Sequence, residues 1–211
     1  IDLTLISIAI IFPLVFTIRG SFRRREKALE HLSDYRSAVK TLHYFIMSNQ
    51  GLTDENKGEF MKILASIDEE LMNHLSVKGC STKELDKSLN KVYDFITQEE
   101  LLISRSLREK TFRYMKDLHE AVENLYAIHA HRTPISLKSY CKMFIYIFPA
   151  IYAPSIIHDI GLETPRLVAY FIVVLTEFVL ISLYNIQNQL EYPFDDQGLD
   201  DIKLQNFRIE R

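Results

Sequence analysis

Three apolar stretches limit what this chain can fold into more than any other feature of its sequence. They cover residues 3–18, 141–160 and 165–186, and the third is apolar on every side of a helix. At about 1.5 Å per residue, a helix of about 20 residues crosses a hydrocarbon core of about 30 Å. The alternative, buried helices of a large soluble core, fits less well because tyrosines mark the ends of the stretches, as in an interfacial belt. We therefore predict an all-α integral membrane protein that crosses a lipid bilayer several times.

The first stretch is predicted to be a transmembrane helix rather than a signal peptide. The sequence begins with Ile1 inside an apolar run, with no basic region before the run and no small-residue cleavage site after it. We expect the start of this span to lie upstream. The predicted domains are a transmembrane helix at 1–18, a cytoplasmic helical region at 19–140, two transmembrane helices at 141–187 and a cytoplasmic C-terminal segment at 188–211.

The orientation follows from the basic residues around the spans. Arginines and a lysine follow the first span directly, and Arg132, Lys138 and Lys142 precede or begin the second. The connection at 158–164 has neither Lys nor Arg. Because Lys and Arg are enriched in cytoplasmic loops, 19–140 and the C-terminus are predicted to be cytoplasmic and 158–164 to lie outside.

The polar region reads as long amphipathic helices that continue the first span. Apolar residues recur at three- and four-residue steps over 21–48, which indicates one helical face. A second helix over 54–75 is predicted to be capped by Thr53 or Asp54. The pair Ser81 and Glu84 forms a capping box for a third helix, which is predicted to run to His131 and to end at the Arg-Thr-Pro step that follows.

The sequence has none of the motifs that commonly mark an enzyme. It contains no glycine-rich phosphate loop, no Cys/His metal spacing and no nucleophile elbow. His129 and His131 lie two residues apart and so point to different faces of a helix, which is typical of surface or core histidines. Glu177 lies in the middle of a span, where it either makes a structural hydrogen bond or lines a polar interior. The net charge of −3 does not indicate a nucleic-acid partner.

The segment after the third span is acidic. Residues 191–201 contain aspartates at 195, 196, 200 and 201, which fit either a solvated turn or a set of hard oxygen ligands for Ca²⁺. The spacing does not match an EF-hand loop.

Two separated stretches resemble the bestrophin family. The first runs from Phe16 through the basic residues to Ala28 and is similar to the end of that family's second transmembrane helix and its polar continuation. The second is Arg-Thr-Pro-Ile-Ser at 132–136 with Tyr140, followed by two spans and Glu-Tyr-Pro-Phe at 191–194. Ser136 stands where the family has a second proline, and Asp195 where it commonly has glycine.

This resemblance implies a homopentameric ion channel with four transmembrane helices per subunit. It implies a narrow apolar neck at Ile8, Phe12 and Phe16, which are four residues apart and so share one helix face. The opposite face, with Ile6, Ile10 and Leu14, is expected to pack inside the protein. Residue count alone places a second constriction near Ser106. The family's calcium clasp falls on Asp200, but Gln197 occupies a position that should be acidic.

The predicted function is therefore a channel subunit that conducts small anions such as chloride and is not an enzyme. Its partners are expected to be the lipid bilayer, copies of itself and small inorganic ions, with no nucleic acid and with calcium as a candidate ligand. Three alternatives remain: an accessory or structural subunit of a larger membrane complex, a cation-selective relative of the bacterial type, and a ligand-sensing membrane protein.

Overall fold

A computed structural model describes residues 3–77, 82–98, 103–160 and 165–209, without the side chains of 3–7, 159 and 160. Within these ranges the chain is helical and contains no strand, as predicted. The elements are α1 (Leu3–Met47), α2 (Asp54–Ser76), α3 (Lys83–Gln98), α4 (Arg105–Ala130), α5 (Ile135–Ile160), α6 (Arg166–Glu191) and a short 3-10 helix (Leu204–Phe207).

The helices divide into two compact units. The first comprises Ile1–Arg25 and Arg132–Tyr192, and the second comprises Glu26–His131 and Pro193–Arg211. Helix α1 contributes its first half to one unit and its second half to the other, so the first predicted span does continue into the polar helix that follows it.

The first unit contains the apolar helices. α6 and the segment Arg105–His158, of which α5 is the apolar part, are long and apolar enough to cross a membrane. Most apolar side chains of α6 are exposed in the single chain, including Leu167, Val174 and Phe178. Such a surface needs a cover of lipid or of other protein. The inner sides of α5 and α6 pack with α1 in a small core that includes Ile145, Phe148 and Leu180.

The second unit is a helical bundle with a continuous core. Buried residues recur at helical spacing on the four α-helices that contribute to it: Leu32, Tyr35, Val39 and Leu42 on α1, Phe60, Leu64, Ile67 and Leu71 on α2, Leu85, Leu89 and Val92 on α3, and Leu118, Val122 and Leu125 on α4. The Tyr35 hydroxyl donates a hydrogen bond to Asp68 Oδ1 at 3.1 Å. Burial raises the pKa of both groups, while the hydrogen bond from Tyr35 counteracts the rise at Asp68.

The helix ends confirm one prediction and correct another. The Thr53 side chain caps α2 by accepting from the Asn56 N–H at 3.2 Å. The prediction of one helix running to His131 is wrong, because α3 ends at Gln98 and α4 begins at Arg105. Ser104 starts the new helix, since its hydroxyl accepts from the Leu107 N–H at 3.3 Å. The predicted cap at Ser81 lies outside the described residues.

The second unit also buries a histidine. The ring of His74 on α2 packs against the rings of Tyr126 and His129 on α4, with centroids 5.5 and 5.4 Å away. Neither ring nitrogen of His74 has a hydrogen-bond partner among the described residues. Burial lowers the pKa of His74 from its ordinary value of 6.5, and the charge of Asp86 only partly offsets this effect.

This histidine predicts how stability depends on pH. A group whose pKa is lower in the folded state contributes stability above its unfolded pKa, and that stability is lost as the pH falls toward the folded pKa. The Tm of the protein should therefore fall as the pH drops below about 6.5. His74→Phe keeps the ring and removes the titrating group, so its Tm should fall less over the same range in thermal melts. An equally steep fall in the variant would contradict the prediction.

Candidate functional site: an apolar face of α1 and its polar supports

The first half of α1 has one face that packs inside the first unit. Ile10 and Leu14 are 2% and 1% exposed and belong to its core, and Thr17 and Ser21 continue the same buried line. The steps of four, three and four residues between these positions are those of one helix face. The prediction that Ile10 and Leu14 pack inside is confirmed, while the side chain of Ile6 lies outside the described residues.

The predicted neck residues lie together on a different side of α1. Ile8, Phe12 and Phe16 are 49%, 58% and 57% exposed, and the rings of the two phenylalanines are 5.4 Å apart. Ile11 and Val15 are also about half exposed, so the apolar surface is wider than the three predicted positions. The resemblance singled out only one row, and the uniformly apolar sequence of 3–18 offered no signal for the wider surface.

A proline interrupts the hydrogen-bond ladder of α1 within the part of the helix that carries this face. Pro13 lies inside the helix and has no N–H, so the carbonyl of Ala9 has no donor from the residue four positions later. The Tyr140 hydroxyl of α5 donates to this Ala9 carbonyl at 3.4 Å. The tyrosine of the second family-like stretch thus compensates for the hydrogen bond that Pro13 cannot make.

A second polar contact holds α1 below the apolar face. Gln187 of α6 is buried, and its side-chain amide donates to Ser21 Oγ at 3.4 Å and to Glu191 Oε2 at 3.2 Å. An amide nitrogen has two protons, and these two acceptors use both.

Glu191 is the centre of the polar contacts in the first unit. Its side chain is 1% exposed and also accepts from the Thr133 N–H at 3.1 Å and from Lys138 Nζ at 2.5 Å. Beside it, the Arg132 guanidinium lies over the ring of Tyr192, 4.1 Å from the centroid. Residues 132–140 and 191–192, which carry the family resemblance, are therefore packed against each other.

The basic flank of α1, which includes Arg19, Arg23 and Arg24, begins after Phe16. Its Arg24 lies near Glu191 and Arg132 of this cluster. Burial lowers the pKa of Arg24, the nearby Glu191 carboxylate raises it, and Arg132 lowers it. Arg19 and Arg23 are exposed, and they follow Phe16 at helical steps of three and four residues. The apolar row is thus continued by positive charge.

The other two predicted sites are placed in the second unit. Ser106 is exposed in the first turn of α4, and Asp200 is exposed in the acidic turn. That turn is closed by its own groups, because the Gly198 N–H donates to Asp201 Oδ2 at 2.7 Å. Burial raises the pKa of Asp201, the bond from Gly198 opposes the rise, and the neighbouring Asp195 carboxylate adds to it.

No metal centre is formed within the described parts of the chain, where no three His, Cys, Asp or Glu side chains are grouped to hold an ion. A second constriction at Ser106 and calcium binding at Asp200 stay predictions. The ring of His129 packs against His74 and Phe194, as expected of a core histidine. Glu177 is partly buried, and its Oε2 has no partner among the described residues.

No family model and no curated protein matches the sequence. The fold, in contrast, is similar to solved structures. A bacterial bestrophin homolog from Klebsiella pneumoniae shares 16% identity and superposes with a TM-score of 0.83 over 97% of this chain and 81% of that one. A proline-to-alanine variant described as a membrane protein shares 15% identity with a TM-score of 0.84 over the same shares.

These similarities show that the chain has the fold of the bacterial bestrophin homologs. The resemblance read from the motifs at 16–28, 132–140 and 191–194 is therefore confirmed at the level of the fold.

The buried ion pair at Glu191 predicts an effect on stability. Lys138→Met leaves a buried carboxylate without its cation, which typically costs about 3–5 kcal/mol. In a protein of this size that corresponds to a fall in Tm of about 6–20 °C. Adding Glu191→Leu removes the unpaired charge, so thermal melts of the double variant should show a smaller loss than the sum of the two single losses.

The exposed pair of Lys27 and Glu30, 2.6 Å apart, provides the matched control. Lys27→Met should leave the Tm nearly unchanged, because exposed ion pairs are screened by water and contribute little to stability. Equal effects of the two lysine substitutions would contradict a central role for Glu191.

Proposed function

We propose that this protein is a subunit of a bestrophin-like ion channel that conducts small anions such as chloride. One observation carries the proposal: α1 is held by a buried face and leaves Ile8, Phe12 and Phe16 exposed in a row on another side. The similarity of the fold to bacterial bestrophin homologs supports the proposal, because the neck assignment of these three positions comes from the resemblance to that family.

The mechanism requires several copies of the chain around one axis. In a ring of identical subunits, each of the three side chains repeats once per subunit and forms an apolar ring. Ions resist such a constriction because they lose hydration and gain no ligands, so the rings close the passage by excluding water. A homopentamer is the assembly that the family resemblance implies.

The charge next to the row favours anions. Arg19 and Arg23 are exposed and follow Phe16 at helical spacing, so each subunit adds positive charge at the end of the apolar rings. Positive charge lining a passage raises the local concentration of anions. Chloride is the small anion proposed here, and a cation-selective passage is the outcome that would contradict it.

Recordings from the purified protein in planar bilayers test the proposal. Under a chloride gradient the reversal potential should approach that of chloride. Replacing Ile8, Phe12 and Phe16 together by Ala should widen and wet the passage and raise the open probability. Absence of current from an oligomer that is intact in detergent would overturn the channel and favour an accessory subunit.

The opposite face of α1 supplies the matched control. Replacing Ile10 and Leu14 by Ala removes buried side chains, which costs about 2–5 kcal/mol for each. This variant should lower the Tm without raising the open probability. If the neck triple and this control behave alike, the neck assignment is wrong.

The proposed orientation places the basic flank in the cytoplasm and has its own test. Arg23 is exposed, so a cysteine at this position can report from which side of the membrane a reagent reaches it. Ser21, two residues earlier, is buried and is therefore unsuitable. In a background without Cys80 and Cys141, an impermeant thiol reagent added to intact cells should label Glu163→Cys and leave Arg23→Cys unlabelled. Labelling of Arg23→Cys alone would reverse the orientation.

A further inference from the structure

We propose that Tyr140 and Gln187 are positioning residues, whose hydrogen bonds to α1 hold the apolar row in its closed position. The inference rests on the channel function proposed above and adds the groups that control the helix. Neither side chain belongs to the row itself.

The two hydrogen bonds lie on both sides of the phenylalanines. Tyr140 donates to the Ala9 carbonyl, before Phe12, and Gln187 donates to Ser21, after Phe16. The first comes from α5 and the second from α6, so α1 is attached to a different helix at each point. Rotation of the segment between these points would have to break one bond or both.

The segment between them includes a position at which helices commonly bend. Pro13 removes one hydrogen bond of the helical ladder, and helices bend at such positions. The hydroxyl of Tyr140 is the donor found at the freed carbonyl. Without it, the Ala9 carbonyl would lose this donor, and the bend would be less restrained.

The lower attachment is built more rigidly. Ser21 and Gln187 are both buried, so neither can exchange its partner for bulk water. The second proton of the Gln187 amide goes to Glu191, which is itself fixed by Lys138 and the Thr133 N–H. The position of α1 at Ser21 is therefore set by the start of α5 and the end of α6 together.

Two conservative substitutions test the proposal in the reconstituted full-length protein. Tyr140→Phe removes only the hydroxyl, and Gln187→Leu removes the amide while nearly keeping its volume. Each loss should shift the open-to-closed ratio toward open by about fivefold, equivalent to about 1 kcal/mol. The double variant should approach the product of the two shifts, since the sites are separate.

The controls are Tyr146→Phe on α5 and Gln189→Leu on α6, because both side chains are exposed. These variants should gate like the wild type. If Tyr140→Phe and Gln187→Leu gate like their controls while the neck triple still opens the channel, the positioning role is wrong although the channel function stands.

A labelling experiment, which needs no current recording, tests the positioning role independently of conduction. With Phe16→Cys in a background without Cys80 and Cys141, the rate of labelling by a water-soluble thiol reagent reports how exposed that side of α1 is. Tyr140→Phe and Gln187→Leu should change this rate severalfold, and the two controls should not. Unchanged rates with a lowered Tm would show a merely structural role and would overturn the proposal.

Discussion

The first unit depends on the hydrogen bonds and the ion pair made by the buried carboxylate of Glu191. A charge removed from water costs several kcal/mol unless donors replace the lost hydration. Glu191 obtains them from Lys138, the Thr133 N–H and Gln187, which come from the start of α5 and the end of α6. Because each donor must be in place at once, the ends of these two helices have little freedom to slide. The apolar contacts of the same unit are non-directional, so by themselves they would not prevent the ends of α5 and α6 from sliding.

The same demand extends to α1. Gln187 has two protons and two acceptors, so satisfying Glu191 also orients the amide toward Ser21. At the other end, Pro13 creates an unsatisfied Ala9 carbonyl, which the Tyr140 hydroxyl reaches. The rotation of α1 is therefore restrained by polar groups at two levels as well as by its buried face, which leaves Ile8, Phe12 and Phe16 exposed. This is why residues outside the apolar row are expected to influence it.

Periodicity and turn chemistry explain how much of the fold could be predicted from the sequence. The 3.6-residue repeat gave the helix over 21–48, and Thr53 gave the start of α2, because both signals are local. The break between α3 and α4 was missed because Leu101, Leu102 and Ile103 continue the apolar pattern, and Ser104 after them is a single cap residue. The buried and exposed faces of α1 could be assigned only through the family resemblance, since an apolar span carries no contrast between its sides. Two of the three partners of Glu191, Lys138 and Thr133, are 53 and 58 residues away from it, beyond the reach of any local pattern.

The same physics explains why the family resemblance is confined to a few short stretches, while the identity to the similar solved structures is only 15–16%. A side chain that faces lipid needs only to be apolar, and one in a core needs only a suitable volume, so many sequences satisfy either position. A buried charge needs a donor of defined geometry, and few residue types supply one. Thr133 and Lys138 supply such donors to Glu191, while Tyr140 donates to the Ala9 carbonyl and Arg132 lies over the ring of Tyr192. Arg132, Thr133, Tyr140 and Glu191 stand at motif positions and Lys138 lies between them, so these recognisable residues are ones that make directional polar or cation-π contacts. The apolar row of α1, in contrast, would pass unnoticed in any membrane helix, and its meaning comes from the polar groups that orient it.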